Sequence, residues 1–392
     1  MHGSSLGSST PLVDEEIYEA AISRAAAGAS PYEQGGFFYP PTFARAGVVL
    51  RDLLGLGGAR RAMRAANVLG LVYLLWFTVV LGSGRGISAS PQPDRRSSRQ
   101  DRGATSASSP PVWLLVLLAL SLPLLPGVRL GLSTGNFSFL VGALAVFAVW
   151  HVDRRPLVSG LMLGSTLLIK PVIAGALPLL LLPRAWPIGS TWLRRIAPAR
   201  ICAAAVATVF ASLLLWFDRQ DLGAMFATEL AGVPKGRSLS IYRFVRELGL
   251  GEMRLPLFGL VVAILCAVLW GRLNQRRDLL VGSALAVPLT TLVVWTHTLV
   301  MCLPLAALAI ARFRQRRQDS MERGGESRGL ADDPRQRLEA VLVFGGAFLL
   351  GFAHPGGFGD QPGPIQALLL APFLAAPVAL AAYWFRTAAK LG

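Results

Sequence analysis

The sequence predicts an all-α protein that crosses a membrane many times. Of its 392 residues, 53% are hydrophobic and only 15% are charged. Segments 112–126 and 201–217 contain no charged side chain at all. A bilayer hydrocarbon core about 30 Å thick requires runs of roughly 17 to 25 apolar residues per helix. The chain is therefore expected to be a polytopic membrane protein rather than a soluble domain.

The net charge of +16 lies largely in short arginine-rich connectors between the apolar runs. Such connectors are typical of cytoplasmic loops in membrane proteins, so they do not indicate a nucleic-acid partner. We expect membrane lipids as partners and no nucleic acid. The basic connectors are 85–102, 154–155, 184–200, 272–277, 312–337 and 386–390.

If these connectors face the cytoplasm, the alternating ones lie outside and the pattern closes with about eleven crossings. The N-terminus is then outside and the C-terminus inside. The outer connectors are the segment up to residue 56 and residues 128–135, 218–254, 295–298 and 354–363. The predicted organisation is an outer region 1–61, a transmembrane core 62–312 with cytoplasmic linker 83–111 and outer loop 218–254, a cytoplasmic linker 313–337, and C-terminal transmembrane helices 338–392.

Two short helices are predicted in the outer region, over 14–27 and 51–65. The first has acidic residues in its first turn, where the helix dipole favours them. The second contains Arg60, Arg61 and Arg64, which lie on the wrong side for the charge rule.

Segment 157–183 lies between two basic connectors but is too short for two full crossings. A broken hairpin with its break at Lys170-Pro171 resolves this conflict, because proline disfavours helical backbone in the residue before it. Irregular backbone at membrane depth needs protein or a water-filled cavity around it. We therefore expect Lys170 to face a polar cavity that opens outward.

The polar connectors 83–111 and 312–337 read as disordered linkers, and Asp332-Asp333 within the second reads as solvated charge. Cys202, Cys266 and Cys302 are isolated in apolar runs and are interpreted as small buried hydrophobes. No metal site is predicted, because no residues have metal-ligand spacing.

Under this topology several scarce polar residues meet on the outer face: Asp14, Glu15, Asn136, Lys170, His297 and the loop 235–240. Such convergence is evidence of a site. Simpler roles remain open: Asp14 and Asn136 also fit helix caps, and His297 also fits an interfacial hydrogen-bonding residue. Lys170 in an apolar run favours a functional role, because an unpaired charge there is costly.

The same residues form a motif series that resembles glycosyltransferase family 87. In order, the motifs are Asp14 four residues before Tyr18; Gly28 with Pro31-Tyr32; Tyr39-Pro40-Pro41; Gly135-Asn136-Phe137-Ser138; Ile169-Lys170-Pro171; Arg237-Ser238-Leu239-Ser240; and Trp295-Thr296-His297-Thr298 before Leu303-Pro304. Each motif alone is weak, and their order along the chain makes the series more specific.

The resemblance implies a GT-C-type helical bundle in a bacterial plasma membrane, similar to the mycobacterial phosphatidylinositol-mannoside mannosyltransferase. It implies transfer of a hexose, mannose by resemblance, from a polyprenyl-phosphate sugar to a lipid or glycan acceptor on the extracytoplasmic face, with inversion and without a further cofactor. Asp14 is the expected general base, or Glu15 if the helix is rotated. The expected substrate-binding residues are Glu15, Tyr18, Tyr39, Asn136, Lys170, Lys235, Arg237 and His297.

The chain departs from the family pattern in three places. The family's first transmembrane helix has no counterpart in the thirteen residues before Asp14, so we expect either a misassigned start codon or a lost helix. Asn136 and Ser138 replace a glutamine and an asparagine, and Thr298 replaces a second histidine. A transporter or flippase of lipid-linked sugars, or an inactive truncated family member, are the alternatives. The enzyme is preferred over the transporter because no internal repeat is evident and the polar residues cluster at the outer surface.

Overall fold

The computed structural model describes residues 13–33, 37, 39–82, 125–182, 197–231, 242, 250–273, 275–290, 296–322, 334–352 and 363–388. All regular elements in these residues are helices, which confirms the predicted all-α class for this part of the chain. The α-helices are α1 Val13–Ala26, α2 Pro41–Gly82, α3 Pro126–Thr134, α4 Ser138–His151, α5 Pro156–Ile169, α6 Leu177–Leu180, α7 Pro198–Phe217, α8 Arg219–Ala231, α9 Arg254–Leu269, α10 Arg276–Thr290, α11 Thr296–Leu299, α12 Leu303–Glu322, α13 Pro334–Phe352 and α14 Gly363–Ala388. Short 3₁₀ helices span Pro171–Ala176, Gly251–Met253 and Val300–Cys302.

Membrane-spanning length and composition are found in two helices of the described residues, α2 and α7. A third span results if α3 and α4, which are bent by 114° at a short break, count as one. The apolar helix α5, with 14 residues, is shorter than a full span. The protein is thus a helical membrane protein, and eleven crossings remain a prediction.

The predicted first outer helix is confirmed as α1, with Asp14 inside its first turn. Residues 51–65 are helical and lead into the apolar span, as predicted, but they belong to one long helix. Helix α2 begins at Pro41 and continues to Gly82, with one non-helical residue at Gly55, where φ is 68° and ψ is 165°. Glycine tolerates this backbone, so the chain kinks there and the helix resumes. Arg60 and Arg64 therefore lie on the same long helix as the apolar span.

The segment 128–135, predicted as a simple turn, is mostly the short helix α3. It ends at Gly135, whose left-handed φ of 77° closes the helix, and Asn136 and Phe137 form the corner before α4. The 114° bend leaves Asn136 at the apex of this corner.

The predicted break at Lys170 is confirmed. Helix α5 ends at Ile169, Lys170 is extended with φ −157° and ψ 114°, and Pro171 begins a 3₁₀ helix, Pro171–Ala176. Helix α6 then follows directly.

The basic connectors in the described residues share the end of the bundle opposite Asp14. Arg200, at the start of α7, bonds to Asp153 beyond α4 and donates to the carbonyl oxygen of Leu273 at 2.8 Å. At this end Trp384 of α14 donates to Asp278 of α10 at 2.9 Å. Helices α4 and α5 connect the two ends, since α4 begins at Ser138 near Asp14 and ends at His151. The described basic connectors therefore gather at one end of the fold, and the side of the membrane that this end faces stays a prediction.

The prediction of disorder across 312–337 is wrong for its first part. Helix α12 continues to Glu322, and Arg316 forms an ion pair with Glu339 of α13 at 2.9 Å. Arg312 donates to the carbonyl oxygen of Thr387 on α14. Cross-helix contacts of this kind give an arginine-rich segment a fixed partner, which composition alone does not reveal. Asp332-Asp333 and linker 83–111 lie outside the described residues.

Helices α5 and α7 pack backbone to backbone along a glycine stripe. A Cβ atom added at Gly160 would lie 2.7 Å from the carbonyl oxygen of Ala203, and one at Gly164 would lie 2.7 Å from Phe210 Cδ1. Small residues allow this approach, and in lipid such close van der Waals packing is what associates helices. The contact holds the helix that ends at Lys170.

We predict that Gly160→Ala lowers the unfolding temperature in detergent, because the new methyl group collides with the backbone of α7. Overpacking of this kind costs about 1–3 kcal/mol. The matched control is Gly259→Ala on α9, where the added atom meets nothing within 4 Å. The control should be neutral or stabilising, since alanine favours helix more than glycine by about 0.5–1 kcal/mol. Equal shifts of the unfolding temperature in both variants would contradict the close packing of α5 on α7.

Candidate active site

Asp14 is brought against the α3–α4 corner by helix α1. The side-chain amide of Asn136 donates to Asp14 Oδ2 at 2.8 Å and to the hydroxyl of Tyr39 at 3.1 Å. The amide oxygen of Asn136 accepts from the backbone N–H of Ser138 at 3.1 Å. Because a backbone N–H requires an acceptor, this bond fixes the amide so that its nitrogen faces the carboxylate. Asn136 therefore presents an N–H donor to Asp14.

Lys170 reaches the same corner from the broken end of α5. Its Nζ donates to Ser138 Oγ at 3.1 Å and to Asn136 Oδ1 at 3.4 Å, and it lies 5.8 Å from the centre of the Tyr39 ring. Its extended backbone ends the helix, so the side chain is directed to the polar corner instead of along an apolar face. Only 7% of Lys170 is exposed. A cation is thus held next to Asp14 in a largely dry environment.

Aromatic residues enclose the cluster on the α1–α2 side. The hydroxyls of Tyr18 and Tyr39 are 2.6 Å apart, and their rings meet edge to face. Burial raises the pKa of both phenols, so both keep their protons at neutral pH and act as neutral hydrogen-bonding groups. The cluster is completed by Tyr32, Phe37, Phe43 and Phe137.

The pKa of Asp14 is raised above its ordinary value, chiefly because burial disfavours the charged carboxylate. The hydrogen bond from Asn136 and the charge of Lys170 act in the opposite direction and partly restore it. A buried carboxylate with a raised pKa, close to a cation and a hydrogen-bond donor, has the properties of a general base.

Glu15 lies against Gly135 of this corner, but its carboxylate is bound by Arg64. Arg64 donates to both of its oxygens at 2.7 Å, and both side chains are almost fully buried. One turn later Glu19 forms the same kind of pair with Arg60. The two ion pairs explain why basic residues lie at this end of the protein: they neutralise the acidic face of α1.

Arg64 was missed by the sequence reasoning, although a signal was present. Glu15 and Glu19 are four residues apart, and so are Arg60 and Arg64. Residues spaced by four share a face of a helix, so two such faces match each other when the helices run antiparallel. The structure pairs them in that antiparallel order.

The remaining predicted residues are only partly placed. His297 lies on α11, which packs against α3 close to the corner, and its side chain lies outside what the structure describes. Lys235 and Arg237 also lie outside the described residues. Among the described residues no group of three or more His, Cys, Asp or Glu side chains is arranged to hold a metal ion.

Two side-chain contacts, here called the clasp, tie the junction of α7 and α8 to the chain around the start of α2. Asp218 and Asp221 lie at this junction, Arg45 lies on α2, and Ser30 lies between α1 and α2. Arg45 pairs with Asp218, and Ser30 donates to Asp221 at 2.7 Å. Burial raises the pKa of Asp218, while the guanidinium of Arg45 lowers it. The clasp therefore anchors the start of the outer loop beside the Asp14 cluster.

A family model for glycosyltransferase family 87 matches residues 37–295, well over half of the chain. The chain belongs to glycosyltransferase family 87. No curated protein and no solved structure matches it significantly.

Within this family 87 glycosyltransferase the matched range contains Tyr39, Asn136 and Lys170, and it begins after α1. Three of the site residues thus come from the segment that carries the family pattern. Asp14 joins them through its contact with Asn136.

We predict that Gly135→Ala destabilises this glycosyltransferase more than Gly28→Ala does. Both glycines have left-handed backbone, with φ of 77° and 76°. Both variants therefore carry the strain of a side chain in that region, about 1–2 kcal/mol. An added Cβ at Gly135 would also lie 2.8 Å from Glu15 Cγ, whereas one at Gly28 meets nothing within 4 Å.

Thermal unfolding of the two purified variants in detergent checks this difference. If Gly135→Ala lowers the unfolding temperature no more than Gly28→Ala does, the Glu15 side chain moves aside without cost and its contact with Gly135 does not stabilise the fold.

Proposed function

We propose that this protein transfers a hexose, mannose by the family resemblance, from a polyprenyl-phosphate sugar to a hydroxyl of a lipid or glycan acceptor on the extracytoplasmic face of a bacterial plasma membrane. The observation that carries the proposal is the buried Asp14–Asn136–Lys170 cluster. It holds a carboxylate of raised pKa and a cation close together in a family of glycosyltransferases.

Asp14 is the proposed general base. It takes the proton of the acceptor hydroxyl as the acceptor oxygen bonds to the anomeric carbon of the sugar. The bond between that carbon and the phosphate oxygen breaks on the opposite face, and its electron pair leaves with the polyprenyl phosphate. One displacement of this kind inverts the configuration at the anomeric carbon.

Lys170 is the proposed partner of the leaving phosphate. The leaving group carries negative charge, so it requires a positive partner more than a strong acid. In the described structure the neutral oxygens of Ser138 and Asn136 bond to the Lys170 ammonium. A phosphate oxygen at this position would form a charge-assisted bond, which is stronger than bonds to neutral oxygens.

Two tyrosines and three further polar residues complete the proposed site. Tyr18 and Tyr39 keep neutral hydroxyls that suit sugar or acceptor hydroxyls. Lys235, Arg237 and His297 are proposed to bind phosphate or sugar as the family resemblance implies. The proposed reaction uses no further cofactor.

We predict that Asp14→Asn lowers sugar transfer by about 10²–10⁴-fold, the usual contribution of general-base catalysis. The assay supplies membranes containing the protein with polyprenyl-phosphate mannose and a host lipid extract, and follows labelled sugar in the products. The matched control is Glu16→Gln, an exposed carboxylate in the same helical turn, which should retain wild-type activity.

Full activity of Asp14→Asn, with protein level verified in the same membranes, would remove Asp14 from the mechanism. A wild-type protein that transfers no sugar from polyprenyl-phosphate mannose or other lipid-linked hexoses would overturn the proposed function.

The pH dependence of transfer gives a second prediction. A base works when it is deprotonated, so activity falls as pH drops through the pKa of Asp14. We call this fall the acid limb of the pH profile. Because burial raises the pKa of Asp14, the acid limb lies at higher pH than for an ordinary aspartate. Asn136→Ala removes a hydrogen bond that favours the carboxylate, so the pKa rises further and the acid limb moves to higher pH.

The matched control for this shift is Asn67→Ala. Asn67 is buried and accepts from the backbone N–H of Leu140 at 3.3 Å, beside the same corner. This variant is expected to leave the acid limb in place. An Asn136→Ala limb that stays in place, or moves to lower pH, would show that another group controls it.

A further inference from the structure

The contacts of Glu15 set the position of its neighbour Asp14. Glu15 and Asp14 are adjacent on α1, and Gly135 and Asn136 are adjacent at the α3–α4 corner. Asn136 bonds to Asp14, while Gly135 faces Glu15 at the distance where a Cβ would overlap its Cγ. The helix and the corner thus meet through two neighbouring contacts, one a hydrogen bond and one steric.

The far side of Glu15 is fixed by Arg64. The guanidinium donates to both carboxylate oxygens at 2.7 Å, and the side chains of Glu15 and Arg64 are only 5% and 7% exposed. A forked arginine–carboxylate pair fixes angle as well as distance. Removal of one partner of a buried pair leaves the other charge uncompensated, so the pair resists rearrangement.

From these contacts we propose that Glu15 is a positioning residue: clamped by Arg64 and seated against Gly135, it sets the rotation and depth of α1 and so holds Asp14 at Asn136. Glu15 does not serve as the alternative base, because both of its oxygens bond to Arg64. The catalytic consequence rests on the proposed function, whereas the structural consequence does not.

The chain offers a matched control in the Glu19–Arg60 pair. This pair joins the same two helices one turn further from Asp14, and its side chains are 20% and 18% exposed. It has the same chemistry and lacks the contact with Gly135. Glu15→Gln and Glu19→Gln therefore remove the same charge from the same helix at different distances from the site.

The first measurement compares these variants in the sugar-transfer assay. Glu15→Gln should lower kcat by tenfold or more, since misplacement of a reacting group by about 1 Å can cost as much as 10²-fold. Glu19→Gln should change kcat by less than about threefold, as expected for a partly exposed pair. The KM for the lipid-linked donor should stay close to the wild-type value in both.

The pH profile separates positioning from a general loss of structure. The Asn136 hydrogen bond lowers the pKa of Asp14 more than the charge of Glu15 raises it. If Glu15→Gln lets Asp14 leave Asn136, the acid limb should therefore move to higher pH. Arg64→Lys keeps the positive charge but loses the bidentate contact with Glu15, so it should lower kcat and move the limb in the same direction. A purely structural defect would reduce the amount of active protein without this pattern.

The second measurement does not require activity. The backbone N–H of Ser138 donates to Asn136, so its hydrogen exchange reports whether the corner is held. Exchange in the peptide that contains Ser138 should accelerate in Glu15→Gln and Arg64→Lys and not in Glu19→Gln.

If Glu15→Gln and Glu19→Gln behave alike in exchange and in kcat, the positioning role is wrong. A wild-type protein without transfer activity would reject the proposed function, and the exchange comparison would still decide the role of Glu15.

Discussion

Carboxylates withdrawn from water require partners, and helix α1 brings three of them to the end of the bundle that contains the α3–α4 corner. Asp14 bonds to Asn136, Glu15 to Arg64 and Glu19 to Arg60. These three contacts join α1 to two different parts of the fold, the α3–α4 corner and helix α2. They also account for the glycine at the corner, since any side chain at Gly135 would occupy the space of Glu15.

The helical class, α1 and the break at Lys170 could be predicted from the sequence because each depends on local chemistry. Apolar runs predict helices in a bilayer, and proline predicts a break in the residue before it. The course of α2 was not predicted, because Gly55 kinks the helix without ending it. The helical form of 312–322 was missed because its arginines are stabilised by residues far along the chain, such as Glu339.

For the site, the sequence predicted which polar residues meet but not how they are oriented. Asp14, Asn136 and Lys170 were expected together. In the structure Asn136 lies between the other two, donating to Asp14 and accepting from Lys170. The rotation of α1 could not be derived, so Asp14 and Glu15 remained alternatives until the contact with Arg64 was known. The conflict of Arg60 and Arg64 with the positive-inside rule was the sequence signal for this contact, because arginines at such a position require acidic partners.

Four contacts described separately also link four helices into a closed loop. Helix α5, which ends at Lys170, is locked to α7 by its glycine stripe, and α7 ends at Asp218, which is paired with Arg45 of α2. Helix α2 is bound to α1 by the pair of Arg64 with Glu15. Helix α1 is bound through Asp14 to Asn136, which also contacts Lys170 at the end of α5. Because each helix in the loop is bound to two others, a movement that opens the Asp14 corner must displace these four helices together.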